Sequence, residues 1–219
     1  MTLALYAHPF SSYSQKVLIA LYENDISFEF RMLGPDHPQF GAQHEKLWPL
    51  KRFPVLVDGE AVFRESSIII EYLHIRYPGP VRMLPSDPMA ALEVRFLDRF
   101  FDNYVMDPVQ RIVMNSLRPE AQRDSLTVET ARAALETAYG WINETLADRQ
   151  WAAGDDFTLA DCAAAPALFY ADWTHPIGEQ WPNLKAYRQR LLGRASFARA
   201  VDEARPYRPL FPLGAPDRD

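Results

Sequence analysis

Apolar and polar positions change their spacing along this chain, and each change marks an element. Leu3 to Ala7 is a short apolar run read as a strand that ends at His8-Pro9. Ser12 and Gln15 fit a capping box, Ser at the N-cap and Gln three residues on, ahead of Val17, Leu18, Leu21 and Tyr22 at helical spacing. Glu23-Asn24-Asp25 closes that helix, and Phe28, Phe30 and Met32 then alternate with polar residues as a half-buried strand does. The segment from Arg31 to Lys51 holds Pro35, Pro38 and Pro49 and reads as a long loop with one helical turn at most. Phe53 to Val57 and Ala61 to Phe63 flank Asp58-Gly59, a strong hairpin signal. Ser66 to Tyr77 carries Ile69, Ile70, Leu73 and Tyr77 on a helical face and stops at Pro78-Gly79-Pro80.

This order, β-α-β-loop-β-β-α, makes the first two strands parallel and adds an antiparallel hairpin. No strand pattern recurs after Pro88. Met89 to Met106 and Val128 to Leu146 are amphipathic helices, and a third helix begins at the capping box Thr158-Leu159-Ala160-Asp161, with Phe157 and Cys162 placed as a hydrophobic staple. Pro166 inside it should bend the helix and cost one backbone hydrogen bond. A further helix spans Asn183 to Leu192 and is followed by another over Phe197 to Ala204, and the Pro-rich tail from Arg205 reads as irregular. The expected fold is an α/β domain over residues 1–80, a linker at 81–88, and an all-helical domain with its tail over 89–219.

Composition narrows the class. With 219 residues and 48% hydrophobic content, the chain can bury one large core or two modest ones. A formal net charge of -6 leaves no basic stripe to neutralise phosphates, so a nucleic-acid partner is not expected. No apolar run approaches the ~20 residues that cross a bilayer. Met1 to Pro9 lacks the basic region and cleavage site of a signal peptide. One cysteine, Cys162, cannot form an internal disulfide, which points to a reducing, cytoplasmic setting. No metal is expected.

Three segments together resemble the cytosolic glutathione transferase superfamily over nearly the whole chain. His8-Pro9-Phe10-Ser11-Ser12-Tyr13-Ser14-Gln15-Lys16-Val17 is similar to the first loop and helix of the serine-type classes (zeta, tau, theta, delta). Arg52-Phe53-Pro54-Val55-Leu56-Val57-Asp58-Gly59, running on to Glu65-Ser66-Ser67, resembles the family's cis-proline strand and its γ-glutamyl site. Ala153-Gly154-Asp155-Asp156-Phe157-Thr158-Leu159-Ala160-Asp161 is similar to the motif that starts the central helix of the second domain. The resemblance implies a thioredoxin-like first domain, glutathione as co-substrate, a small hydrophobic electrophile as its partner, and a homodimer.

It also implies roles. Redox relatives carry Cys-Pro-Tyr-Cys where this chain has His8-Pro9-Phe10-Ser11, so disulfide exchange by the protein itself is excluded. Alignment through Val17 puts Ser11 on the family's thiol-activating serine, with Phe10 beside it. Ser12 is the next choice and Tyr6 a rival, because tyrosine-type classes place their hydroxyl late in this strand. His8 stands where a redox relative keeps its nucleophile and is read as a loop residue. A cis Pro54 would turn the Phe53 backbone toward the cysteinyl unit, Ser66 and Glu65 would take the γ-glutamyl group, and Arg52, or else Lys51, the glycyl carboxylate. Tyr104 and then Trp173 are the first guesses for an acceptor site between the domains. Departures from the zeta loop, Tyr13 for its Cys and Gln15 for its Trp, weigh against an isomerase. That isomerase and a non-catalytic glutathione-binding or regulatory protein stand as alternatives to conjugation, and a peroxidase or dehalogenase would use the same residues.

Overall fold

The computed structural model describes residues 3–219. Met1 and Thr2, which belong to the leader reading and to the first expected domain, lie outside the described residues. β1 (Ala4–Ala7) is buried at every position, as expected of a strand covered on both faces, and it sits inside a sheet of order β2-β1-β3-β4. β2 (Glu29–Met32) runs parallel to β1, with Tyr6 beside Arg31, and β3 (Val55–Asp58) runs antiparallel on its other side, with Tyr6 beside Val55. β4 (Ala61–Arg64) closes the edge through a tight turn at Gly59, whose φ of 61° suits glycine.

α1 (Ser12–Glu23) and α3 (Ser66–Arg76) cover one face of the sheet. Sequence reading missed α2 (Pro38–Leu47), a ten-residue helix where it expected one turn. Pro38 lies at the start of that helix, where its missing N–H costs nothing, so the proline opens the element instead of breaking it.

Among the described residues the second part of the chain is helical. α4 (Pro88–Phe100) passes directly into a π-helical segment, Phe101–Met106, and then into α5 (Asp107–Ser116). The amphipathic run expected to end at Met106 thus continues for ten more residues. α6 (Ser125–Thr145) precedes α7 (Leu159–Thr174), which is buried along its whole length and runs through Pro166 as one helix. The Thr158–Asp161 capping box forms as expected: Asp161 Oδ2 accepts the Thr158 N–H at 2.8 Å, and Oδ1 accepts the Tyr187 hydroxyl at 2.6 Å. Burial pushes the Asp161 carboxyl up.

α8 (Pro182–Leu192) and α9 (Ala195–Ala204) finish the bundle. The tail departs from expectation: Arg205–Leu210 is a 3₁₀ helix, Phe211 is buried, and Arg218 is anchored on Asp172 of α7. Prolines that bar an α-helix still allow this tighter turn and its side-chain anchors. No helix among the described residues is long and apolar enough to cross a membrane.

Candidate active site

Between β1 and α1 the chain must turn sharply, and His8 makes that turn. Its Nδ1 accepts the Phe10 N–H at 3.2 Å, and its carbonyl accepts the Ser11 N–H at 3.0 Å. The ring stacks edge-on against Tyr207, 4.7 Å between centroids, and burial lowers its pKa, so at neutral pH it is an uncharged acceptor. His8 is therefore structural, which accounts for a residue the sequence left unexplained.

The cap of α1 falls one residue earlier than expected. Ser11, not Ser12, is the N-cap, and its Oγ accepts the Ser14 N–H at 3.3 Å. Gln15 makes no capping box. Its amide turns inward and donates to the Pro9 carbonyl at 3.0 Å and to the Tyr170 hydroxyl at 3.2 Å, and that hydroxyl donates to the Phe10 carbonyl at 2.8 Å. Glutamine is long enough to reach the loop behind the helix, so a distant partner on α7 outcompetes the local cap. Accepting one bond leaves the Ser11 hydroxyl proton free to donate.

Ser11, Arg52, Phe53, Pro54, Glu65 and Ser66 line one cleft of ≈ 490 Å³ at the end of the sheet. The Phe53–Pro54 peptide bond is cis. Glu65 has φ 66°, a left-handed conformation that a non-glycine residue holds only where its surroundings impose it. Its carbonyl accepts the Ile69 N–H at 2.9 Å, so the first turn of α3 fixes it. Lys51 shares the left-handed region at φ 54° and pairs with Glu45, whereas Arg52 has no acidic partner among the described residues. His44 of α2 contacts the Arg52 carbonyl at 2.9 Å, and Arg64 donates to the Leu47 carbonyl at 2.6 Å while lying 5.1 Å over the Trp48 ring. α2 thus braces the lip of the cleft.

Beneath the floor lies a charge cluster that no local pattern in the chain announces. Lys16 of α1, 1% exposed, meets Asp98 at 2.5 Å, Asp102 at 2.8 Å and the Ser67 hydroxyl at 3.0 Å. Ser67 donates to Asp98 Oδ2 at 2.8 Å, and Arg99 pairs with Asp102 at 2.5 Å. The π-helical widening carries Asp102 and Asn103 to the cleft wall beside Arg99. Burial pushes the Asp102 carboxyl up, and Lys16 opposes that shift. The cluster is missed in sequence because its members come from α1, α3, α4 and the π segment.

The remaining candidates lie elsewhere. Tyr6 donates to Gln43 Oε1 at 2.8 Å and accepts from Arg31, under α2. Phe10 and Ser12 line a second, smaller cleft of ≈ 270 Å³ walled by Met106, Val109, Val113 and the tail residues Leu210 to Pro212. Trp173, 8% exposed, sits behind that wall against Phe169 and Phe211, and Tyr104, 57% exposed, packs on Phe100; neither lines either cleft. Among the described residues no group of three or more His, Cys, Asp or Glu side chains could hold a metal.

The glutathione S-transferase N-terminal domain model matches residues 5–81, and the glutathione S-transferase C-terminal domain model matches 105–195. A glutathione S-transferase from Methylobacterium radiotolerans, solved in complex with glutathione sulfonate, is 31% identical and superposes with a TM-score of 0.79 over 92% of this chain and 95% of its own. The chain belongs to the glutathione S-transferase family. Among its curated relatives is the uncharacterized GST-like protein YibF of Escherichia coli, 31% identical over 86% of this chain and 93% of its own. A stringent starvation protein A homolog of Coxiella burnetii is 28% identical over 92% of each. A transferase fold of mixed four-stranded sheet and following helical domain is what the chain adopts.

Proposed function

We propose that this transferase conjugates glutathione to a hydrophobic electrophile, with Ser11 donating a hydrogen bond to the thiolate. The observation that carries this reading is the meeting of two clefts at Ser11: a polar one with Arg52, Phe53, Glu65 and Ser66, and an apolar one with Phe10, Val109 and Phe211. Ser66 at the start of α3 suits the γ-glutamyl carboxylate, Glu65 the ammonium, and Arg52 the glycyl carboxylate.

The energetics are sufficient. Moving a thiol from pKa ~8.5 to ~6.5 takes about 2.7 kcal/mol. A hydrogen bond to a charged acceptor supplies roughly 1.5–3 kcal/mol, and the α1 N-terminus about 0.3–1 kcal/mol. No general base is required, consistent with His8 being used in a turn. Proximity of thiolate and electrophile supplies much of the remaining rate.

A cytoplasmic location is part of this reading, and a single, buried Cys162 with a free thiol supports it. Pairing as a homodimer would cover Ile68 and Ile75 of α3 and Met89 and Leu92 of α4, all more than half exposed. The second reading is a non-catalytic glutathione-binding protein; the similarity to a stringent starvation protein A homolog, a relative not named as a transferase, keeps it open. Retention on immobilised glutathione followed by turnover of 1-chloro-2,4-dinitrobenzene decides between them. Retention with turnover supports the transferase; retention without it favours the binder.

A further inference from the structure

Between the end of α7 and one face of α8 lies a cavity of ≈ 280 Å³ that shares no residue with either cleft. Its charged lining is one carboxylate, Asp172, and three cations: Lys185 and Arg188 of α8 and Arg218 of the tail. The carboxylate is already used. Asp172 Oδ1 accepts the Ile177 N–H at 2.8 Å, and Oδ2 takes the Arg218 guanidinium. The nearby acids are used as well: Glu179, itself exposed, pairs with Lys185, and Asp219 pairs with Arg205 and Arg208.

Arg188 is left over. It is 9% exposed, yet its Nε and Nη2 have no hydrogen-bond partner among the described residues; Nη2 lies 3.2 Å from Asp172 Oδ2 without the alignment of a hydrogen bond. Those two nitrogens form the side of a guanidinium that grips an oxyanion with two parallel bonds. Elsewhere in this molecule that side is filled: Nε and Nη2 of Arg95 hold the two oxygens of Glu71, and those of Arg194 hold the two oxygens of Glu23. Leaving it empty on a buried arginine forfeits the bonds that would offset the cost of burying the charge.

We infer that Arg188, Lys185 and Arg218 form a binding site for a small divalent oxyanion, phosphate or sulfate, and that its occupation clamps the tail onto α7. The anion fills the Nε–Nη2 side of Arg188 at the buried end, while Lys185 and Arg218, both partly exposed, close on it from the mouth. Three lining cations against one lining carboxylate leave two positive charges for it to balance. Arg218 is already docked, donating from Nη2 to the Asp172 carbonyl at 3.0 Å, and the tail that carries it supplies Leu210, Phe211 and Pro212 to the apolar cleft. A bound anion thus steadies one wall of that cleft from a site outside it. Neither the site nor the clamp depends on the conjugation reading.

Titration calorimetry of the full chain with inorganic phosphate, in chloride at constant ionic strength, tests the site. The wild type should give a saturable isotherm of one site per chain, and sulfate should compete with it. Arg188→Met should weaken binding about tenfold or more, with Arg188→Lys, which keeps the charge but not the paired donors, in between. Lys185→Gln, a change at the rim that leaves the fold intact, should weaken it about threefold to tenfold. Hydrogen exchange over residues 205–219 should slow severalfold when phosphate is added to the wild type and should not respond in Arg188→Met. No saturable binding by the wild type, or an isotherm that survives both Arg188→Met and Lys185→Gln, overturns the site. Saturable binding that leaves exchange in the tail unchanged overturns the clamp. The transferase reading is judged separately, by turnover.

Discussion

His8 Nδ1 takes the Phe10 N–H at 3.2 Å, and this single bond sets the path of the backbone into Ser11. Because burial lowers the His8 pKa below its ordinary 6.5, its contribution to stability is fully present above the unfolded value and is lost as pH falls through the folded one. His8→Ala should cost about 1 kcal/mol at pH 7, and His8→Asn, which also offers an acceptor at this distance, should recover part of it. Urea denaturation at pH 7 and pH 5 checks this: the gap between wild type and His8→Ala should narrow at the lower pH.

Ser11 has two jobs that one substitution can separate. Ser11→Ala removes the cap and should cost about 1 kcal/mol of stability. It should also keep glutathione binding while raising the pH at which conjugation reaches half its maximum by roughly one to two units. Ser11→Thr retains a hydroxyl and should retain most of both effects. A pH–rate profile unchanged in Ser11→Ala would remove Ser11 from the chemistry.

Lys16 is 1% exposed and holds two carboxylates. Replacing it with Met leaves Asp98 and Asp102 buried without their ammonium, and should lower stability by about 3–5 kcal/mol. Lys16→Met with Asp98→Asn should recover part of that loss, because Arg99 then has one buried carboxylate to balance instead of two. Guanidinium denaturation of the two variants measures both values. If the single substitution costs less than about 1 kcal/mol, the cluster contributes little beyond shape.

Arg218 anchors the tail to Asp172, and the tail supplies Leu210, Phe211 and Pro212 to the apolar cleft. Arg218→Ala should therefore raise the KM for a hydrophobic acceptor severalfold while leaving that for glutathione unchanged. Steady-state kinetics with each substrate varied in turn separates the two. Equal shifts in both constants would mean that the tail does not shape the acceptor cleft selectively.

Much of the fold was legible because it is written in local spacing. Thr158 and Asp161 sit three residues apart and cap α7, and Asp58-Gly59 marks a two-strand turn, so both follow from neighbours in sequence. Two helices, α2 and α5, were not legible. Pro38 stands at the start of a helix but reads as an interruption, which hid α2, and α5 lies beyond Met106, where the amphipathic run was expected to end. With α5 hidden, Gln110 could not be placed on the wall of the clefts that Ser11 and Tyr13 line. Capping by Ser11 was misassigned to Ser12 because Gln15 has two partners within reach, and the winning one, Tyr170, lies 155 positions away. The Lys16 cluster depends wholly on such long-range pairing.

Cys162 is fully buried on α7, with its sulfur 3.7 Å from that of Met83, and burial raises its thiol pKa further. It is the chain's one cysteine. A catalyst that brings reactive carbon compounds to a sulfur nucleophile risks being alkylated by its own substrates. Here the protein's thiol is kept protonated and out of reach, so under the proposed conjugation the sulfur such a compound would meet in the cleft is that of glutathione. That immunity is built into the core packing of α7 and owes nothing to the site itself.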